Sequence, residues 1–199
     1  LVSRAAVGAD LVVCPEMALS GYLFAGREEV AAVAEPAEGR TFSLFAPIAR
    51  RERCWLVIGF PEVAGDRFFN SALVINPAGE LVFCYRKTLL YEADETWASP
   101  GDSGYRYFDT DWGRFAPGIC MDLNDDAFLA WCAQSKLDAL AFPTNWIEEG
   151  MDVWGYWAWR MQGLTSALVA ANSYGVEEET TFSGRSAILK ENTVYAAAR

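Results

Sequence analysis

Leu11-Val12-Val13-Cys14-Pro15-Glu16 is the stretch on which the reading of this chain turns. Four apolar residues follow Gly8-Ala9-Asp10 and stop at a proline. A short apolar run bounded by turn residues reads as a buried strand. Residues 1–6 before it read as the last turns of a helix whose beginning lies elsewhere, so a helix feeds the strand.

The same pattern recurs outward along the chain. Trp55-Leu56-Val57-Ile58-Gly59-Phe60 is a second buried strand, residues 137–142 closed by Pro143 a third, and Leu168-Val169-Ala170-Ala171 a fourth. Residues 41–53 carry apolar side chains at 42, 44, 45, 48 and 49, a helical stripe with Thr41 as its expected N-cap. Residues 125–135 and 153–167 read as further helices. Residues 69–75 and 80–85 flank Asn76-Pro77-Ala78-Gly79, which has the chemistry of a hairpin turn. Residues 112–120 read as a strand, and 185–189 with 194–198 as a closing hairpin. Strands alternating with helices, with hairpins inserted, predict an α/β domain with mixed sheets in a four-layer α-β-β-α sandwich.

Composition narrows the chemistry. The 199 residues contain no histidine, which excludes Ser-His-Asp and Cys-His hydrolases and imidazole metal sites. Proton transfer must fall to a carboxylate, a lysine or a tyrosine. Sixteen Lys and Arg against 27 Asp and Glu give a net charge of −11, which argues against nucleic acid and anionic membrane surfaces as partners. No apolar run approaches the ~20 residues of a membrane span, and nothing at the start reads as a signal peptide. Cys14, Cys54, Cys84, Cys120 and Cys132 form no Cys-x-x-Cys pair; they read as free thiols in a reducing cytoplasm.

Three predicted strands end in reactive groups: Glu16 after the first, Lys87 in Tyr85-Arg86-Lys87-Thr88, and Cys120 in Pro117-Gly118-Ile119-Cys120-Met121-Asp122. Ligands in α/β sheets bind beyond the carboxyl ends of strands. There Cys120 would be the nucleophile, Glu16 its general base, and Lys87 the cation holding the developing oxyanion.

Pro15-Glu16 with Ser20-Gly21-Tyr22, then Tyr85-Arg86-Lys87, then Gly118-Ile119-Cys120-Met121-Asp122-Leu123 together resemble the nitrilase, or carbon–nitrogen hydrolase, superfamily. Phe69-Asn70-Ser71-Ala72 and Ala170-Ala171-Asn172 agree. The resemblance covers the whole chain. It implies a nitrilase-type α-β-β-α sandwich, a Glu16-Lys87-Cys120 triad, no metal, no cofactor, and a homodimer or larger homo-oligomer. It also implies that the family's first strand and C-terminal tail lie outside these 199 residues. A second glutamate, eight residues after the lysine in many members, falls on Glu95, with Glu92 as its rival. The histidine that relatives place after Lys-x is replaced in Lys87-Thr88-Leu89-Leu90; it is not a triad member.

The Cys120-Met121-Asp122-Leu123-Asn124 segment looks most like protein N-terminal amidases, which release ammonia from an N-terminal asparagine or glutamine. A small-molecule amide or a peptide N-terminus is therefore the expected substrate. Carbamoyl amino acids, ω-amides and nitriles on the same triad are the rival substrates, and an inactive oligomeric binding protein is the rival of another class. Met121, Asp122, Asn145 and Trp146 are expected to line the substrate site, with Asp122, Asp125 and Asp126 near a substrate ammonium. The latter two would serve equally as acids at a helix N-terminus. Trp154, Trp157 and Trp159 suit an aromatic wall, a subunit interface or helix core, and Arg160 suits a substrate carboxylate or the surface.

Overall fold

A computed structural model describes residues 1–198. Helix α1 (Val2–Ala5) leads into strand β1 (Leu11–Val13); α2 (Arg27–Val33) and α3 (Arg40–Glu52) precede β2 (Trp55–Ala64), β3 (Arg67–Ile75) and β4 (Leu81–Arg86). β1 runs parallel to β2, and β2, β3 and β4 form an antiparallel meander, so the first sheet is ordered β1-β2-β3-β4. The hairpin between β3 and β4 turns as its residues dictate. Asn76 Oδ1 accepts from the backbone N–H groups of Ala78 and Glu80, and Gly79 takes the left-handed φ of 75°.

A helical turn α4 (Glu92–Glu95) follows, then β5 (Phe108–Thr110), β6 (Gly113–Pro117), a 3-10 turn at Cys120–Asn124, α5 (Asp126–Ser135), β7 (Ala139–Thr144), α6 (Val153–Arg160) and β8 (Ala167–Asn172). β9 (Tyr174–Glu177) and β10 (Thr180–Ser183) make a separate hairpin, and β11 (Ala187–Lys190) and β12 (Thr193–Ala197) rejoin the second sheet. That sheet is ordered β12-β11-β8-β7-β6-β5, with β6, β7 and β8 parallel.

Alternate residues of a strand point to opposite faces, and here both faces are covered. From the first sheet, Leu56, Ile58 and Leu73 pack on Phe45 and Ala49 of α3, while Val57, Val74 and Tyr85 face Phe115, Ala139 and Ala141 of the second sheet. Beyond the second sheet, Leu140, Phe142 and Leu168 are covered by Phe128 of α5 and Trp157 of α6. This is the expected α-β-β-α sandwich. Double-sided burial is why the strands read as unbroken apolar runs rather than alternating ones.

Some local expectations change. Thr41 does not cap α3, which starts at Arg40 behind Gly39. Thr41 is buried, and both its N–H and its hydroxyl bond the Glu35 carboxylate, which puts an acid beside the helix N-terminus. The stretch 112–120 divides: its first residue lies in the β5–β6 turn, and pairing stops at Pro117, before the cysteine. The helix from residue 153 ends at Arg160, and Gly163 turns the chain with a φ of 84°. α2 and the β9–β10 hairpin have no counterpart in the sequence reading.

Candidate active site

Glu16 leaves the end of β1 through Pro15, pressed against the neighbouring strand. A Cβ on Gly59 of β2 would stand 2.6 Å from Glu16 Cα and 2.7 Å from the Pro15 carbonyl oxygen, so only glycine admits this approach. The Glu16 side chain is fully buried. Its Oε1 accepts from Lys87 Nζ at 2.8 Å and Asn70 Nδ2 at 2.6 Å, while Oε2 has no hydrogen-bond partner among the described residues. Burial pushes the Glu16 carboxyl above its ordinary value; Lys87 opposes that shift and Asp94 adds to it.

Lys87 is the first residue past β4, its N–H donating to the Asn70 carbonyl at 2.8 Å. Its Nζ lies 2.6 Å from Asp94 Oδ2, and neither side chain is exposed. Burial alone would depress the lysine, but the carboxylates of Glu16 and Asp94 outweigh it and hold its pKa above the usual value. Lys87 is therefore a fixed ammonium between two acids.

Cys120 opens the 3-10 turn beyond β6 with a φ of 43°, a left-handed conformation that a non-glycine residue holds only under constraint. Gly118 makes room for it: a Cβ there would stand 2.7 Å from the Phe128 ring of α5. The thiol's pKa is pushed up to about 12, first by burial and then by the Glu16 carboxylate, with Lys87 opposing. At neutral pH the sulfur carries its proton.

Cys120 opens onto a cavity of about 140 Å³ lined by Met121, Asn145, Trp146, Tyr22 and Tyr91, with Ile147 and Glu149 at its margin. Asn145 Nδ2 donates to the Glu16 carbonyl at 2.9 Å and its Oδ1 accepts from the Ser173 hydroxyl, so it both lines the cavity and pins the Glu16 loop. Tyr22 is held by Glu177 of β9, whose carboxylate accepts from the N–H groups of Tyr22 and Leu23 at 3.0 Å. Asn172, at the end of β8, accepts from the Trp146 N–H at 2.7 Å and donates to Gly184 O at 2.6 Å.

The expectation for the second acid places the wrong residue on Lys87. Glu95 and Glu92 are exposed, and the carboxylate on the lysine is that of buried Asp94. Asp94 also accepts from Asn70 Nδ2 at 3.2 Å and from the Tyr91 N–H at 3.1 Å. The available signal was its place as the third residue of a helical turn, where an acid reaches back to the N-cap N–H.

Asp122 does not face the cavity. It is buried and accepts from Tyr85 OH, the Thr88 hydroxyl and the N–H groups of Thr88, Leu89 and Ile119, which ties the cysteine turn to the loop after Lys87. Asp125 caps α5 and Asp126 pairs with Arg160, so neither they nor Arg160 lines the cavity. Trp157 is helix core; Trp154 donates to the Arg185 carbonyl at 2.7 Å; Trp159 is 54% exposed. Tyr22, Tyr91 and Glu149 line the site without having been singled out as site residues from the sequence.

A four-layer sandwich with a buried carboxylate, a held ammonium and a thiol at the ends of its strands belongs to one class. The carbon-nitrogen hydrolase family model matches residues 1–198, and this chain belongs to that family. Among its relatives, the protein N-terminal amidase of Saccharomyces cerevisiae is 31% identical over 167 residues, 69% of this chain and 36% of that protein. A nitrilase of Pyrococcus abyssi is 36% identical over 139 residues, 69% of this chain and 53% of that protein. The chain thus spans about a third to a half of the length of these two curated relatives. Two solved structures share the fold. One is an amidase from Nesterenkonia sp. AN1 bearing acrylamide on its active-site cysteine (TM-score 0.83, 20% identity, 99% of this chain and 80% of that one). The other is an N-terminal amidase with an Asn-Glu-Ala peptide (TM-score 0.80, 18% identity, 92% and 81%).

Proposed function

We propose that this chain is an amidohydrolase that cleaves a linear, non-peptide amide through a Cys120 thioester and releases ammonia. One observation carries the reading: Glu16 Oε2 is buried and unpartnered in a site that also holds a protonated thiol and a fixed ammonium. A carboxylate oxygen without a donor is a free proton acceptor, and a thiol with a pKa raised to about 12 needs one.

In this mechanism Glu16 takes the Sγ proton as sulfur attacks the amide carbon. The carbonyl π electrons move to oxygen, where the Lys87 ammonium holds the charge. The tetrahedral adduct collapses, the C–N bond breaks, and the Glu16 carboxyl returns its proton to the departing nitrogen as ammonia. Water then attacks the thioester with Glu16 accepting its proton. The C–S bond breaks, and the thiolate takes that proton to restore the resting site. Asp94 touches no reacting atom; it positions Lys87. N-terminal asparagine or glutamine is the substrate favoured by the similarity to N-terminal amidases, one solved with an Asn-Glu-Ala peptide and one with a Gln-Val peptide. The five free thiols favour a reducing cytoplasmic compartment, and membership of the carbon-nitrogen hydrolase family favours a homodimer or larger homo-oligomer. Among the described residues no helix is long and apolar enough to cross a membrane.

Ammonia release from a panel of simple amides, carbamoyl amino acids, nitriles and Asn- or Gln-leading peptides tests the reading, with intact mass following the acyl adduct. An adduct absent in Cys120→Ala is expected. No ammonia from any member of the panel, together with no selective alkylation of Cys120, would overturn it.

A further inference from the structure

The cavity at Cys120 has one carboxylic side chain on its lining, Glu149. Among the described residues no lysine or arginine lies within 4 Å of it. The neighbouring Glu148 is paired instead, with Arg185 at 3.7 Å. The segment that presents Glu149 is firmly held: Glu148 N–H donates to Thr181 O at 2.8 Å, Ser183 N–H donates to Trp146 O at 2.9 Å, and Ile147 bridges to Phe182. A carboxylate on an anchored backbone, left without a cation at the mouth of a reactive cavity, is a receptor for a positive charge.

Two further features point the same way. The walls beside Glu149 are the rings of Tyr22, Tyr91 and Trp146, whose faces attract cations. The one cation buried near the cysteine, Lys87, is already held by two acids, Glu16 and Asp94, and does not line the cavity, so no free cation there opposes a positive ligand. At about 140 Å³ the space is well below the roughly 300–1,000 Å³ of sites for drug-sized molecules. Cation and scissile amide must therefore belong to one small group or one chain end.

We propose that Glu149 is the specificity-determining residue of this site, its carboxylate taking the ammonium group of a cationic amide substrate between Tyr91 and Trp146. The inference rests on the reading of this cavity as the substrate site, but its test does not depend on hydrolysis. Cys120 is alkylated in parallel with neutral iodoacetamide and with 2-bromoethylammonium, and the adducts are followed by intact mass. In Glu149→Gln the rate ratio of cationic to neutral reagent should fall about five- to tenfold, and in the unsubstituted protein it should fall as salt rises to 1 M. Glu148→Gln, whose partner is Arg185, should leave the ratio within about twofold. An unchanged ratio in Glu149→Gln, or an equal fall in Glu148→Gln, would overturn the proposal. With a Gln-leading dipeptide as substrate, Glu149→Gln should raise KM about five- to tenfold and leave kcat near its original value; a fall in kcat at constant KM would count against it. A ratio that responds to Glu149 in a protein releasing no ammonia would sink the amidase reading and keep this one.

Discussion

Asp94 Oδ2 lies 2.6 Å from Lys87 Nζ, seven residues away along the chain, and neither side chain has any solvent exposure. The contact depends on α4, whose first turn points Asp94 inward and leaves Glu95 outside. It gives Lys87 a second anchor, which in the proposed mechanism keeps the ammonium in place while Glu16 exchanges a proton.

Replacing Asp94 should therefore act through position and field rather than through a lost reacting group. Asp94→Asn is expected to lower kcat about 10–100-fold, while Glu95→Gln changes it less than about twofold. The sign of the pH effect follows from the charges. Asp94 raises the Glu16 pKa, and the proposed mechanism requires Glu16 ionised, so the rising acid limb of kcat/KM should move to lower pH in Asp94→Asn. Asp94→Glu should restore part of kcat. An acid limb that does not move would assign Asp94 a purely structural role.

Glu16→Gln should separate activity from stability. Loss of the base should lower the rate of ammonia release about 10²–10⁴-fold. The folded-state pKa of Glu16 is raised, so the folded protein binds this proton more tightly than the unfolded chain. The associated stability is present below the unfolded pKa and is lost as pH rises through the raised folded one. Wherever the buried carboxyl is ionised it is a net cost, and Glu16→Gln should there raise Tm by about 2–4 °C for each kcal/mol relieved. The gap should close at acid pH. Thermal unfolding at pH 7 and pH 4 measures both; a lower Tm for the variant at pH 7 contradicts the scheme.

Gly59→Ala tests how the Glu16 loop is seated. The added methyl would meet backbone atoms of Pro15, Glu16 and Met17 at 2.6 to 2.8 Å. A backbone cannot yield as a flexible side chain does, so a loss of about 2–3 kcal/mol is expected, with activity falling as Glu16 is displaced. Gly65→Ala, at an open turn with a φ of 64°, should cost about 1 kcal/mol through backbone strain and keep kcat. Chemical denaturation and turnover together distinguish the two.

Asp122 should behave as a structural acid. Asp122→Ala strands five donors in the interior, and a loss of at least about 3 kcal/mol is expected, lowering Tm by roughly 6–12 °C. If Asp122→Ala instead raises KM tenfold at unchanged Tm, Asp122 binds substrate.

Much of the scaffold was legible because the short apolar run ending at Pro15 is clear punctuation, and because Asn76-Pro77-Ala78-Gly79 carries its own turn chemistry; Pro143, expected to close its strand, instead lies within β7, opposite Ala171 of β8. Elements whose character comes from contacts elsewhere were not. Tyr174-Gly175-Val176-Glu177 carries no strand signal of its own, and it becomes β9 by pairing with β10. Lys87 sits at a hairpin end by its sequence, and only the fold buries it between Glu16 and Asp94.

From sequence alone came the layer order and the three strand ends bearing Glu16, Lys87 and Cys120, because burial on both faces leaves an apolar signature and reactive residues after such strands are few. Which acids serve the site was decided only by the tertiary structure. Successive residues in a helical turn differ by about 100° in direction, so adjacent Asp94 and Glu95 part ways, one into the core and one into water. Asp122, expected at the substrate, is turned inward by five donors, while Glu149, which the sequence did not single out, lies on the cavity lining. Side-chain direction at that scale is set by what packs around the turn, and no spacing along the chain contains it.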